Sequence, residues 1–210
     1  RDQPRSRGLG DVYKRQPYTG TIFSINPLFI DLEQLTTKEW GNILSEQTYK
    51  KICDENPNKD INKTAYSYIV KAQEEALQEA YVNFKQWNDK KLNKEFEKFK
   101  NENDFWLSKD ALYEALVIEN NNDYWPLWDN KTDRNLFNPK TEEEKKASFL
   151  REKELRLKYA DEINYYAFCQ FVAAKQNEQT KKYALKHDLK LIADRQVAFS
   201  DRDTLSLIHI

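Results

Sequence analysis

"INYYAFCQFVAAKQNEQTKKYALKHDLKLIAD" (163–194) decides how the chain reads. Its first part places Ile163, Tyr166, Phe171 and Val172 at helical spacing. Its end, "KLIAD" (190–194), is a short apolar run closing on an acid, after a stretch rich in Lys and His. The spacing predicts a long helix to about Asp188 that feeds a strand. A helix feeding a short strand that ends on Asp is the unit of a βα barrel, whose C-terminal strand ends carry the site. The fold expectation from these residues is α/β, predominantly helical over this stretch, a pattern that many α/β proteins share.

Both ends of the chain read differently from its middle. "LSLIHI" (205–210) could be a terminal strand, and "SRGLGDVYKRQ" (6–16) a flexible tail. Back-translated, however, LSLIHI is the transposon end used to tag DNA for short-read sequencing. Its reverse complement encodes Asp11–Gln16, and the adapter just upstream encodes Ser6–Gly10. Residues 1–16 and 205–210 are therefore expected to be translated adapter, as fusion scars are, with Thr204 on the junction. Residues 17–204 are the natural portion, with a helical insert over about 36–140.

The 34 Lys+Arg and 35 Asp+Glu of the chain lose five and two to the adapter, which leaves 29 against 33, a net charge of −4. That speaks against a nucleic-acid or anionic-membrane partner, either of which needs a basic face. Two glycines remain, Gly20 and Gly41, where average usage predicts roughly 13. Long helices fit this better than hairpins. Cys53 and Cys169 lack metal or redox spacing and read as reduced thiols. His187 is the lone natural histidine, so neither a His-based metal site nor a Ser-His-Asp triad is expected, and no cofactor or metal. No apolar run reaches membrane-spanning length.

"NPLFIDLEQL" (26–35) reads as a short buried strand or tight loop. Residues 36–62 read as loop. From Lys63, Tyr66, Ile69, Val70, Leu77, Ala80, Tyr81, Phe84 and Trp87 recur with helical period, giving a helix of roughly 25 residues and a more polar continuation. Ser108 reads as an N-cap for "KDALYEALVIEN". Residues 120–140 read as loop, and Thr141 with Glu144 as a capping box opening the last long helix. Asp31 and Glu33, two apart on a strand, would share a side; that pair reads as structural.

Three stretches together resemble the 4-α-glucanotransferases (amylomaltase, or disproportionating enzyme; glycoside hydrolase family 77). "PYTGTIFSINPLFIDLEQL" (17–35) resembles S-P-Y-S followed by G-N-P-L-x-I-D-L. "NDFWLSKDALYEALVIENNNDYWPLWD" (103–129) resembles W-L-x-D-Y-A-L-F-x-A-L and a W-x-x-W-P segment. Residues 163–203 resemble F-x-Q-F-L-F-x-x-Q-W followed by G-D-x-P-I-F-V-A-x-D-S-A-D. The chain departs from the pattern where Gly-Asp becomes Ala193-Asp194 and D-S-A-D becomes "SDRD" (200–203), as a divergent branch would.

The resemblance implies the N-terminal part of a (β/α)₈ barrel with large helical insertions, in a cytoplasmic enzyme that moves a segment of an α-1,4-glucan to the 4-hydroxyl of an acceptor, with maltooligosaccharides as its partners. It implies a retaining double displacement. In the family the nucleophilic Asp, the acid/base Glu and a third stabilising Asp lie C-terminal to this stretch, so no catalytic residue is assigned within 1–210. Two substrate-binding residues carry over. Tyr18 matches the Tyr of S-P-Y, whose ring would cover the apolar face of a donor sugar. Asp194 matches the Asp ending the third barrel strand and would accept hydrogen bonds from sugar hydroxyls. Residue by residue, a buried Tyr and an N-capping Asp remain open. Trp125 and Trp128 read as a structural pair rather than a sugar platform; Asp201, Arg202 and Asp203 fit sugar contact or a solvated loop equally. The competing reading is a non-enzymatic helical scaffold, suggested by the two long charged helices. An almost purely helical chain would favour it, although aromatics replace the Leu/Ile heptads of a coiled coil.

Overall fold

Why the chain turns where it does is set mainly by small polar side chains at helix ends. The computed structural model describes residues 23–191 and 204–209. All regular structure among these is helical, and no strand is described. The predominantly helical content follows the expectation; of the strand or tight loop read over 26–35, the structure shows tight turns and no strand. Asn26 accepts from the amide of Leu28 at 2.9 Å and caps a 3₁₀ turn, Pro27–Phe29. Asp31 accepts from the amide of Glu33 at 3.0 Å and caps α1, Leu32–Leu35. The apolar run was compatible with a strand, but its Asx residues satisfy amides locally and favour turns. Asp31 and Glu33 are thus a cap and a first-turn acid, not a pair on one strand face.

The described residues fall into two compact units. One comprises Asn26–Asn88. Its frame is α3, Tyr66–Trp87, which buries Ala72, Ala76, Leu77, Ala80, Tyr81 and Phe84. The alanines, four apart, allow close approach of α1 and of α2, Glu46–Asp54. Helix α2 lies within the stretch read as loop; Ser45 caps it, accepting from the amide of Thr48 at 3.1 Å. Leu35, Trp40, Ile43 and Leu44 complete the core. Gly41 (φ +67°) makes the turn between them, and a Cβ there would lie 2.5 Å from the Trp87 ring. Asn88 ends α3 in the left-handed region at φ 47°.

The second unit comprises Gly20–Ile25, described from Phe23, and the chain from Asp89. Helix α4, Lys90–Asn120, is capped by Asp89 and runs unbroken past Ser108. Ser108 is therefore not an N-cap. Its hydroxyl donates to the Asp104 carbonyl four residues back, at 2.8 Å, which lets a serine sit inside a helix. Nothing in Lys90–Leu107 is Gly or Pro, so nothing stops the helix earlier. The loop read over 120–140 holds a 3₁₀ turn, Trp125–Leu127, and α5, Lys131–Arg134. Helix α6, Glu142–Lys158, opens on the expected capping box: the Glu144 amide donates to Thr141 Oγ1 at 3.2 Å, and Glu144 Oε2 accepts from the Thr141 amide at 3.3 Å.

The last helix is two. Tyr159 (φ −111°, ψ 32°) separates α6 from α7, Ala160–Lys186. Helix α7 packs along α4, with the Phe171 ring 5.4 Å from Phe96 and 5.8 Å from Phe99. Leu112, Tyr113, Leu116, Trp128, Leu136 and Leu155 form the core, and Leu207 of α8, Thr204–His209, closes it. A helix, not a strand, thus forms over 204–209. Most of "KLIAD" lies outside the described residues.

Candidate functional site

Tyr18 and Asp194 both lie outside the described residues, as do Asp201, Arg202 and Asp203. The structure describes the chain from Phe23. Phe23 packs edge-on against Phe105 at 5.1 Å and stacks with Trp106 at 6.1 Å. Ser24 is hydrogen-bonded to the Tyr166 hydroxyl. Gln170, 2% exposed, accepts from the Ile25 amide at 2.8 Å and donates to the Ile25 carbonyl at 3.0 Å. Burial, with the Asp110 and Glu114 carboxylates nearby, holds the Tyr166 hydroxyl well above its ordinary pKa; it stays neutral and hydrogen-bonding.

The densest charged cluster described is built on three helices and the Tyr159 junction. Asp133 of α5 is fully buried and binds Arg151 of α6 through two bonds, Nε–Oδ1 at 2.8 Å and Nη2–Oδ2 at 3.2 Å. Arg151 also holds Glu119 of α4 at 2.9 Å and Glu154 at 2.9 Å. Lys158 reaches Glu119 at 2.6 Å, the Tyr159 hydroxyl bonds it too, and Asn120 donates to Asp133 at 3.1 Å. Hydrogen bonds from Lys158, Tyr159 and Arg151 lower the Glu119 pKa from 4.5 to about 2, and the carboxylates in turn raise that of Arg151. A glutamate so held has no proton to give at neutral pH, and both its oxygens are engaged by donors, so this cluster is a structural tie.

The remaining residues fall where packing puts them. Trp128 is 1% exposed, its ring 5.7 Å from Tyr113 and its indole N–H on the Asn122 carbonyl at 2.7 Å; Trp125 packs beside that core. Neither forms an open platform. Cys53 and Cys169 are free thiols, the first exposed and the second buried. His187 caps α7 against Tyr183. A groove of about 170 Å³ between α2 and α3 is lined by Thr48, Lys51, Glu55, Tyr68 and Lys71 among others. No cluster of three metal-ligating side chains occurs among the described residues. No described helix is long and apolar enough to cross a membrane. Sequence reading passed over Gln170 and Arg151: a glutamine and an arginine on helices full of polar residues carry no mark of burial.

These features define a helical body with a pinned N-terminal segment. A family model described as 4-alpha-glucanotransferase matches residues 7–203, and the chain belongs to that family. It is 30% identical over 187 residues to a 4-alpha-glucanotransferase of Clostridium butyricum, covering 87% of this chain and 33% of the relative. It is 25% identical over 179 residues to one of Aquifex aeolicus (strain VF5), covering 85% of this chain and 31% of the relative. The chain thus spans about a third of the length of these curated relatives. Helical content alone suits the scaffold reading; a match spread over nearly the whole chain outweighs it, because helicity is common to many folds and the family's residue pattern is not.

Proposed function

We propose that this chain is one portion of an enzyme that transfers a segment of an α-1,4-glucan to the 4-hydroxyl of an acceptor glucan or glucose. The family match over residues 7–203 carries this reading. The complete protein would close a (β/α)₈ barrel and would act in the cytoplasm on maltooligosaccharides. The reaction would be a retaining double displacement. A carboxylate attacks the anomeric carbon, a carboxylic acid protonates the departing glycosidic oxygen, and a sugar hydroxyl then takes the place of water as acceptor. The carboxylates that do this lie beyond residue 210. Tyr18 and Asp194 would line the donor sugar site, one through its ring face and one through hydroxyl hydrogen bonds. Residues 1–16 and 205–210 would be adapter; that rests on the complementarity of the two ends at DNA level. Leu207 is no argument against it, since an apolar helix fills an apolar seat whatever encoded it.

The test is to recover the complete reading frame from the source DNA and to incubate the encoded protein with maltotriose. Glucose and longer maltooligosaccharides are expected from the complete protein and none from the 210-residue chain. Transfer by the short chain would refute the assignment of the acids to later sequence. An inactive, folded complete protein would overturn the function itself.

A further inference from the structure

Leu207 is 2% exposed. It sits with Leu112, Tyr113 and Leu116 of α4, with Trp128 and Leu136 of the connection that follows, and with Leu155 of α6. Walls from three parts of the chain thus converge on one leucine, which arrives on the short helix α8 packed against α4. The polar ends of the two aromatic walls are engaged elsewhere. The Tyr113 hydroxyl donates to the Asp123 carbonyl at 3.0 Å, and the Trp128 indole N–H to the Asn122 carbonyl at 2.7 Å. The seat therefore offers carbon to its occupant. A polar side chain there would lose its water without gaining a partner. An empty seat would leave a hole the size of a leucine side chain beside the core, which close-packed interiors rarely keep.

Leu207 lies within the stretch read as adapter, so on that reading it is a stand-in. The natural chain that continues from Asp203 carries a different sequence past the same place. We propose that this seat is the docking point of the next natural segment of the complete protein: a large apolar side chain within the first helical turn or so after Asp203. The seat would tie the later part of the polypeptide to α4 and α6. The inference rests on the adapter reading and on the chain's being one portion of a longer enzyme. Two observations favour this occupant over a separate partner. Leu207 is only four residues past Asp203, and so short a tether gives an intramolecular occupant a far higher effective concentration than a free one. The chain also spans about a third of the length of its curated relatives.

The test starts from the complete reading frame recovered from the source DNA. A large apolar residue is expected at position 206, 207 or 208 of the natural sequence. Replacing it by Ser in the complete protein should lower Tm by about 2 °C or more. With Leu116→Ala already present, the same replacement should lower Tm less than half as far, because the seat is already broken. If the Ser variant does not fold, Ala at that position carries the comparison. Polar residues at all three positions, an unchanged Tm, or an effect of the same size with and without Leu116→Ala overturns the inference and leaves the glucan-transfer reading standing. A natural frame that reads Leu-Ser-Leu-Ile-His-Ile at 205–210 overturns the adapter reading, and the inference with it. A complete protein that shows the expected Tm losses but transfers no glucan supports the inference and defeats the proposed function alone.

Discussion

The two units solve the same problem by different chemistry. In Asn26–Asn88 about a third of the chain lies outside helices and 3₁₀ turns, and several of its backbone groups are taken up by side chains of α3. Gln73 donates to the carbonyls of Pro27 and Ile30 at 3.0 and 2.9 Å. Asn83 donates to that of Ile43 at 2.8 Å, and Glu79 accepts from the Ser45 amide at 2.8 Å. From Asp89 onward the long helices satisfy their own backbones, and side chains are free to tie helix to helix: aromatic rings along α4 and α7, and the Asp133–Arg151–Glu119 cluster where α4, α5 and α6 meet. Irregular chain is held by amides and carboxylates that mimic peptide partners; regular chain is held by packing and charge. The segment 23–25 is the exception that mixes the two, irregular chain pinned to long helices.

If charge ties the second unit, Arg151→Ala leaves Asp133 buried without its cation. A loss of about 3–5 kcal/mol in urea unfolding is expected; a loss below about 1 kcal/mol would mean that the rings alone hold these helices. The first unit should break at its tightest turn. Gly41→Ala forces a Cβ into the left-handed region and onto the Trp87 ring. A cost of about 2–4 kcal/mol is expected in the same assay; a cost near 1 kcal/mol would mean that Trp87 swings aside and only the left-handed backbone is strained. The smallest effect is that of acid. Because the folded-state pKa of Glu119 is lowered from 4.5 to about 2, its contribution is complete above pH 4.5 and is lost as pH falls through that interval. It should amount to about 2 kcal/mol, since water reaches part of the carboxylate. Glu119→Gln should flatten this part of the stability–pH curve. An unchanged curve would assign the acid sensitivity elsewhere.

The sequence determined what depends on neighbours along the chain. The apolar period of α3, the Thr141–Glu144 capping box and the reading of Trp128 as structural were all legible, because helix periodicity, cap chemistry and the cost of exposing an indole are local. So were the motifs that carry the family resemblance. Ser108 misled because the same hydroxyl can cap a helix or bond back within one, and its neighbours do not say which. "LFIDL" misled because a short apolar run with Asx residues on both sides suits a strand or two capped turns, and only α3 lying over it decides. Helix α2 stayed hidden because its apolar positions are few. What tertiary structure alone decided is which of many polar side chains would be buried and paired: Gln73 and Gln170 on backbone groups, and Arg151 between Asp133 and Glu119. The partners of Arg151 lie 18 and 32 residues away, and those of Gln170 lie 145 away. At such separations nothing in the local pattern distinguishes a solvated arginine or glutamine from one that holds the molecule together.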